Sequence, residues 1–125
     1  MTAAPCSVFV VDDDDAVRDS LKTLLELQSF KVETFEACQE FLHANTSGAD
    51  CLVLDIHLPG MSGFELMEAM RRAKRHLPTI LITARCDNAI RERAKALGVV
   101  ALLEKPIEFN GLMGAIERCT GRPST

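Results

Sequence analysis

Residues 8–15 are Val-Phe-Val-Val-Asp-Asp-Asp-Asp, an apolar run that ends in four consecutive carboxylates. A short run of β-branched and aromatic residues is typical of a buried strand. Like charges repel one another, and a carboxylate that is buried without a partner is costly. The block therefore indicates that a positive group lies where this strand ends, and a divalent metal ion is the simplest candidate.

Three later apolar runs also end in polar side chains. They are residues 51–54 before Asp55, residues 79–82 before Thr83, and residues 99–103 before Glu104-Lys105-Pro106. Continuous apolar strands are typical of a parallel sheet that is covered on both faces. Because parallel strands point the same way, their carboxyl ends meet at one edge, where open α/β sheets bind ligands. The sequence therefore predicts acids, a hydroxyl and an amine at that edge.

Strand-like and helix-like segments alternate along the whole chain. Strands are predicted at 7–11, 31–35, 51–54, 79–82 and 99–103; helices at 15–28, 37–44, from the N-cap Ser62 to about residue 73, from the N-cap Asp87 to Leu97, and at 108–119 with Phe109 inward. Ser62 and Glu65 match a capping box, and Gly98 is a favourable helix stop. Five βα units in this order predict a doubly wound α/β fold.

Length and composition predict one soluble domain over residues 1–125, with a core of about 6–119 and a tail or linker start at 120–125. The net charge of −4 gives no support for nucleic-acid binding through the overall field. The longest apolar runs have only about five residues, so no segment is predicted to span a membrane. Residues 1–5 lack signal-peptide features, which predicts a cytoplasmic location. The five dispersed cysteines do not form a disulfide framework or zinc motif.

Five of the strand-end side chains suit phosphoryl transfer: Asp12, Asp13, Asp55, Thr83 and Lys105. Mg²⁺ prefers carboxylates, retained waters and phosphate oxygens. A lysine and a threonine hydroxyl can each contact an oxygen of a transferring phosphoryl group, and that reaction depends mainly on positioning and charge stabilisation. The nucleophile would be a carboxylate, as in aspartyl-phosphate chemistry.

Four motifs resemble the receiver domain of two-component response regulators, and most of all its FixJ type. They are Val10-Val11-Asp12-Asp13-Asp14, the stretch from Leu54 to Gly63 (Leu-Asp-Ile-His-Leu-Pro-Gly-Met-Ser-Gly), Ile82-Thr83-Ala84 and Glu104-Lys105-Pro106. The resemblance covers residues 6–119 in the family's order. It implies a flavodoxin-like (CheY-like) five-stranded sheet with strand order 2-1-3-4-5.

The resemblance also implies a role for each matching residue. Asp55 corresponds to the phosphoacceptor, Asp12 and Asp13 to the acids that bind Mg²⁺, the backbone carbonyl of His57 to a further metal ligand, Thr83 to the switch hydroxyl, Lys105 to the phosphoryl-contacting lysine, and Ala84 to a small residue beside the acyl phosphate. The Lys105-Pro106 bond is expected to be cis. Leu102 departs from the family, which usually has an aromatic residue there.

As a receiver, the chain would accept a phosphoryl group from a sensor histidine kinase and would not be a conventional turnover enzyme. The resemblance further implies a phosphorylation-dependent homodimer and a DNA-binding output domain beyond Thr125. Sedimentation with and without a mimic of the acyl phosphate would test the dimer.

Three other functions are weighed against this one. A flavin- or nucleotide-binding module of the same fold is disfavoured because its first loop needs glycine and hydroxyl residues with free amides for phosphate. A metal-dependent phosphatase would need its nucleophile at Asp12, whereas Asp55 has the more suitable loop behind it. A receiver fold that acts as a constitutive interaction module stays open because of Leu102.

Overall fold

The computed structural model describes residues 6–121. Five strands and five helices alternate: β1 (Ser7–Val11), α1 (Asp15–Leu27), β2 (Lys31–Phe35), α2 (Cys38–His43), β3 (Cys51–Asp55), α3 (Gly63–Arg72), β4 (Thr79–Thr83), α4 (Asn88–Ala96), β5 (Ala101–Glu104) and α5 (Phe109–Thr120). This is the predicted doubly wound α/β fold. The expectations for residues 1–5 and 122–125 fall outside the described residues.

All strand pairs in the sheet are parallel, and the strand order is β2-β1-β3-β4-β5, as the resemblance implies. β1, β3 and β4 lie in the middle and are almost wholly buried. Their register pairs Val11 with Leu54 and Asp55 with Ile82, so the strands end nearly level with one another. The polar residues that end or follow these strands therefore meet at one edge.

The core has two layers because successive residues of a buried strand point to opposite faces. Val8 and Val10 face the layer that contains the apolar sides of α1 and α5. Phe9 and Val11 face the other layer, with residues of α2, α3 and α4. Both faces are covered, which explains why β1, β3 and β4 are continuous apolar runs.

Two expectations for the last βα unit are wrong. β5 begins at Ala101, not at residue 99, because the Val99 N–H donates to the Ala94 carbonyl and closes the end of α4. Gly98 lies there with a φ of +74°, the left-handed conformation that ends many helices. Phe109 is 37% exposed, not inward, since α5 begins beyond the strand ends and its buried face starts at Leu112.

The other element ends agree with the sequence prediction to within one residue. β3 and β4 are each one residue longer than predicted, so Asp55 and Thr83 are themselves strand residues. Among the helices of residues 6–121, none has the length and apolar character needed to cross a membrane.

Candidate functional site

The site lies at the carboxyl edge of the sheet, where three central strands and β5 end. Asp12 directly follows β1, Asp55 ends β3, Thr83 ends β4, and Lys105 directly follows β5. The backbone fixes these positions: the Asp12 N–H donates to the Phe35 carbonyl at 3.1 Å, and the Lys105 N–H donates to the Thr83 carbonyl at 2.8 Å. The ends of the strands therefore set the spacing of the polar side chains.

Three carboxylates meet at this edge. Oxygens of Asp12, Asp13 and Asp55 all lie within 4.8 Å of one another. Asp12 is 0% exposed and Asp55 is 4% exposed, whereas Asp13 is open to solvent. Burial raises the pKa of Asp12 above its ordinary value, and the charge of Asp55 adds to this, against the lowering effect of the Asp14 N–H and Lys105. Such a cluster favours a cation beside it.

Lys105 connects two of the acids. Its Nζ lies 3.0 Å from Asp55 Oδ2 and 3.1 Å from Asp12 Oδ2. Partial burial lowers the pKa of Lys105, but the contacts and charges of Asp55 and Asp12 outweigh this effect and raise the pKa overall. The ammonium is therefore charged at neutral pH and offsets one of the three negative charges. The Lys105-Pro106 peptide bond is cis, as the resemblance implies.

One carboxylate oxygen of the cluster has no hydrogen-bond partner. Asp12 Oδ1 accepts the Asp14 N–H at 2.9 Å, but Asp12 Oδ2, within the described chain, is a buried side-chain oxygen with no hydrogen bond. Its contact with Lys105 has the distance of an ion pair without hydrogen-bond geometry. Buried polar atoms are almost always satisfied. A buried carboxylate oxygen without a hydrogen bond, beside two further carboxylates, fits a hard divalent cation such as Mg²⁺.

The loop after Asp55 packs tightly against the end of β3. The His57 N–H donates to Asp55 Oδ1 at 3.0 Å, and the Gly63 N–H donates to the Ile56 carbonyl at 2.9 Å. A Cβ atom at Gly63 would lie 2.4 Å from the Asp55 carbonyl oxygen, so only glycine fits. The predicted capping box of Ser62 and Glu65 is present and fixes the start of α3. The His57 N–H thus holds Asp55 Oδ1, and Lys105 Nζ holds Asp55 Oδ2.

Two of the predicted site residues have side chains without a hydrogen bond to the carboxylates among residues 6–121. The Thr83 side chain is fully buried, and its Oγ1 donates to the Arg85 carbonyl at 2.8 Å and accepts the Arg85 N–H at 3.2 Å. Within residues 6–121, no hydrogen bond joins the Thr83 hydroxyl to Asp55. The His57 side chain is exposed, and this residue contacts Asp55 through its backbone N–H. Ala84, next to Thr83, is exposed as well.

Arg18 was missed by the sequence reasoning. Its Nη1 donates to the Asp12 carbonyl at 2.6 Å, its guanidinium pairs with Asp15, and its side chain is only 13% exposed. Arg18 therefore positions the backbone of Asp12 from the first turns of α1. The spacing of Asp15 and Arg18 is that of a helical ion pair, but the backbone partner has no sequence signal.

The response regulator receiver domain family matches residues 8–117, which is most of the chain. The chain belongs to this family. As a receiver domain it is 38% identical over 111 residues to the transcriptional regulatory protein FixJ of Bradyrhizobium diazoefficiens, covering 88% of this chain and 54% of that protein. The chain thus spans about half the length of this relative.

Solved structures of response regulators have the same fold as this domain. The response regulator StyR superposes with a TM-score of 0.87 at 42% identity, over 94% of this chain and 60% of that one. FixJ-N superposes with a TM-score of 0.85 at 32% identity, over 96% of this chain and 97% of that one. The predicted receiver fold and its FixJ-like character are confirmed. The domain is a receiver of a two-component response regulator.

Proposed function

We propose that this receiver accepts a phosphoryl group from a sensor histidine kinase on Asp55 in a Mg²⁺-dependent reaction in the cytoplasm. Phosphorylation then switches an output or dimerisation face. The observation that carries the proposal is the cluster in which three carboxylates meet one ammonium while Asp12 Oδ2 stays without a hydrogen bond. That arrangement is suited to a divalent ion and to a phosphoryl group.

Asp12, Asp13 and Asp55, together with the backbone carbonyl of His57, are the residues that would hold Mg²⁺. A bound Mg²⁺ neutralises charge on the acids and on phosphoryl oxygens. Asp13 is the exposed member, so its carboxylate is open to an ion that arrives from solvent. Asp12 is the buried member and supplies the oxygen that lacks a hydrogen bond.

Asp55 is the nucleophile in this proposal. Its carboxylate oxygen forms a bond to the phosphorus of a phosphohistidine as the phosphorus–nitrogen bond breaks, and the released imidazole takes up a proton. Lys105 Nζ lies 3.0 Å from Asp55 Oδ2 in the unmodified domain. Its ammonium then meets the phosphoryl oxygens. The domain assists this single transfer on itself and is not a conventional turnover enzyme.

A small acyl phosphate provides the experiment for the proposed reaction. Incubation with acetyl phosphate and Mg²⁺ is expected to add one phosphoryl group per chain, measured by intact mass. Excess chelator is expected to prevent the addition, because the clustered carboxylates would repel the incoming anion. A chain that stays unmodified with Mg²⁺, or gains the group equally in chelator, contradicts the proposal.

Mg²⁺ is expected to raise the thermal stability of the wild-type domain and to do so much less for Asp13→Asn. A ligand that binds only the folded state stabilises it by about 2.7 kcal/mol at about 100-fold excess over its Kd. Asp19→Asn is the matched control, since Asp19 is an exposed acid on α1 outside the carboxylate cluster. Equal responses of wild type and Asp13→Asn would show that the metal assignment is wrong.

Thr83 is expected to transmit the modification toward α4. A phosphoryl group adds charge and three acceptor oxygens, so it can draw the hydroxyl away from Arg85. Leu102 lines a depression of about 450 Å³ between α4 and β5, which provides space for repacking where an aromatic side chain is usual in the family. We therefore expect beryllofluoride, a mimic of the acyl phosphate, to shift the NMR signals of residues 84–105 and to promote dimerisation.

Thr83→Ala is expected to weaken this response without preventing phosphorylation. Thr79→Ala is the matched control, because Thr79 is a buried threonine on the same strand whose hydroxyl donates to the Leu77 carbonyl at the opposite end. Identical NMR responses in wild type and Thr83→Ala would remove Thr83 from the switch. Unchanged signals and association in wild type would favour the constitutive interaction module.

The output proposed for the natural protein is a DNA-binding domain beyond Thr125. FixJ and the transcriptional regulatory protein TdiR of Thauera aromatica support it, because both are longer proteins, of which this chain covers only 54% and 51%. The gene sequence past codon 125 tests this point. A helix-turn-helix segment is expected there, and an immediate stop codon would contradict it.

A further inference from the structure

Arg18 contacts the loop that carries two of the clustered acids, although it lies outside the carboxylate cluster itself. Its Nη1 donates to the Asp12 carbonyl at 2.6 Å, and its Nη2 pairs with Asp15, the first residue of α1. The same Nη2 lies 4.0 Å from Glu36 Oε2, in the loop after β2. One planar guanidinium therefore spans the end of β1, the start of α1 and the loop after β2.

The bond to the Asp12 carbonyl is the strongest of these contacts. The Asp15 and Glu36 side chains are largely exposed, and ion pairs in such positions contribute little to stability. The Arg18 side chain is largely buried, and a charged donor forms a stronger hydrogen bond to a partly buried carbonyl than a neutral donor does. Because the guanidinium is a rigid fork, the contact with Asp15 also fixes the direction in which Nη1 points.

The Asp12 carbonyl depends on Arg18 alone for its hydrogen bond. The Asp12 N–H donates to the Phe35 carbonyl at 3.1 Å, and Asp12 Oδ1 accepts the Asp14 N–H at 2.9 Å. Within the part of the chain that the structure describes, no backbone N–H donates to the Asp12 carbonyl. Without Arg18, this carbonyl would therefore have no protein donor.

Asp13 depends on the same carbonyl for its place in the cluster. Within residues 6–121 its carboxylate has no hydrogen bond or ion pair, yet one of its oxygens lies within 4.8 Å of oxygens of Asp12 and Asp55. Its main chain alone therefore positions it. The Asp12 carbonyl and the Asp13 N–H belong to one planar peptide group, so a donor that holds the carbonyl also fixes the direction in which the chain enters Asp13.

We propose that Arg18 is a positioning residue for the metal site: its fork, held by the Asp12 carbonyl and Asp15, keeps Asp12 and Asp13 where they can bind Mg²⁺. This inference rests on the proposed function, in which these acids hold the ion. Removal of a group that holds metal ligands in place typically costs about 10–100-fold in metal affinity. Arg18 acts through the main chain of the ligands and not through a bond to their carboxylates.

The charge of Arg18 and its position predict opposite effects on metal binding. A guanidinium beside a cation site repels the incoming ion, so its removal would tighten Mg²⁺ binding if charge alone decided the affinity. If position decides the affinity, removal of Arg18 weakens Mg²⁺ binding even though a repelling charge is lost. The sign of the change therefore separates the two effects.

Isothermal titration of the unphosphorylated domain with Mg²⁺ tests the proposal without any phosphoryl transfer. Arg18→Met keeps an unbranched side chain but lacks the donors and the charge, and we expect its Kd for Mg²⁺ to rise by about 10-fold or more. Arg18→Lys keeps the charge but has no fork, so we expect an intermediate Kd. Lys22→Met is the matched control, because it removes a cation of α1 that pairs only with the exposed Glu26, and it should bind Mg²⁺ like the wild type.

A Kd of Arg18→Met equal to or lower than that of the wild type would overturn the proposal. Circular dichroism in chelator checks that each variant is folded. Where Arg18→Met folds poorly, Arg18→Lys decides, since a wild-type Kd in that variant would show that the fork is not needed. A wild-type domain that binds no Mg²⁺ would instead overturn the proposed metal site, and this inference with it.

Discussion

Asp55→Asn is expected to abolish phosphoryl incorporation from acetyl phosphate and from any histidine kinase that modifies the wild type. An amide is not a nucleophile toward phosphorus at neutral pH, so the loss should be complete and not partial. Asparagine has nearly the same shape and can still accept the His57 N–H that now donates to Asp55 Oδ1. The fold should therefore persist while the chemistry disappears.

Intact mass measured after equal incubation with acetyl phosphate and Mg²⁺ checks this prediction. Asp19→Asn removes an exposed acid from α1 and should be modified like the wild type. Circular dichroism of Asp55→Asn should match the wild type, which separates lost chemistry from lost structure. Persistent modification of Asp55→Asn would move the acceptor to another acid, with Asp12 and Asp13 the nearest.

Gly63→Ala is expected to destabilise the domain and to slow phosphorylation together. The added Cβ would lie 2.4 Å from the Asp55 carbonyl oxygen and 2.9 Å from Ile56 Cα, both of them backbone atoms that cannot rotate away. Forced overpacking of this kind costs about 1–3 kcal/mol. The backbone that has to move carries the acceptor, so the position of the carboxylate changes as well.

Thermal unfolding of Gly63→Ala and its rate of phosphoryl incorporation test this. Gly114→Ala is the matched control, since the nearest atom to its added Cβ is the flexible Arg118 Nη1 at 3.9 Å. In the middle of α5 that change should stabilise by about 0.5–1 kcal/mol through the lower chain entropy of alanine. If the two variants had the same stability, the close approach of Gly63 to β3 would not be a real constraint.

The fold could be predicted from sequence because each central strand is buried on both faces and therefore apolar throughout. The same logic placed Asp12, Asp55, Thr83 and Lys105 at one edge, since parallel strands that end level with one another bring their terminal residues together. The closeness of Asp12 and Asp55 follows from this topology. The roles of these residues rest on the family resemblance and remain proposals.

Other features depend on contacts that local pattern does not encode. Thr83 could not be predicted to hydrogen-bond Arg85, because both bonds of its hydroxyl go to the backbone of the loop after β4, and a backbone partner leaves no signal in the sequence. The inward prediction for Phe109 failed since helical periodicity does not show where a helix passes the end of the sheet. The start of β5 was misplaced because valines at 99 and 100 have strand propensity, while the Val99 N–H closes α4.

Reductive trapping tests the central claim most directly. Borohydride converts an aspartyl phosphate into homoserine, so wild-type domain treated with acetyl phosphate and Mg²⁺, then reduced, records the acceptor as a changed residue in a peptide map. We expect homoserine at position 55 alone and its absence when Mg²⁺ is chelated. Homoserine at position 12 or 13, or an unmodified Asp55 in domain that has gained a phosphoryl group, would contradict the assignment.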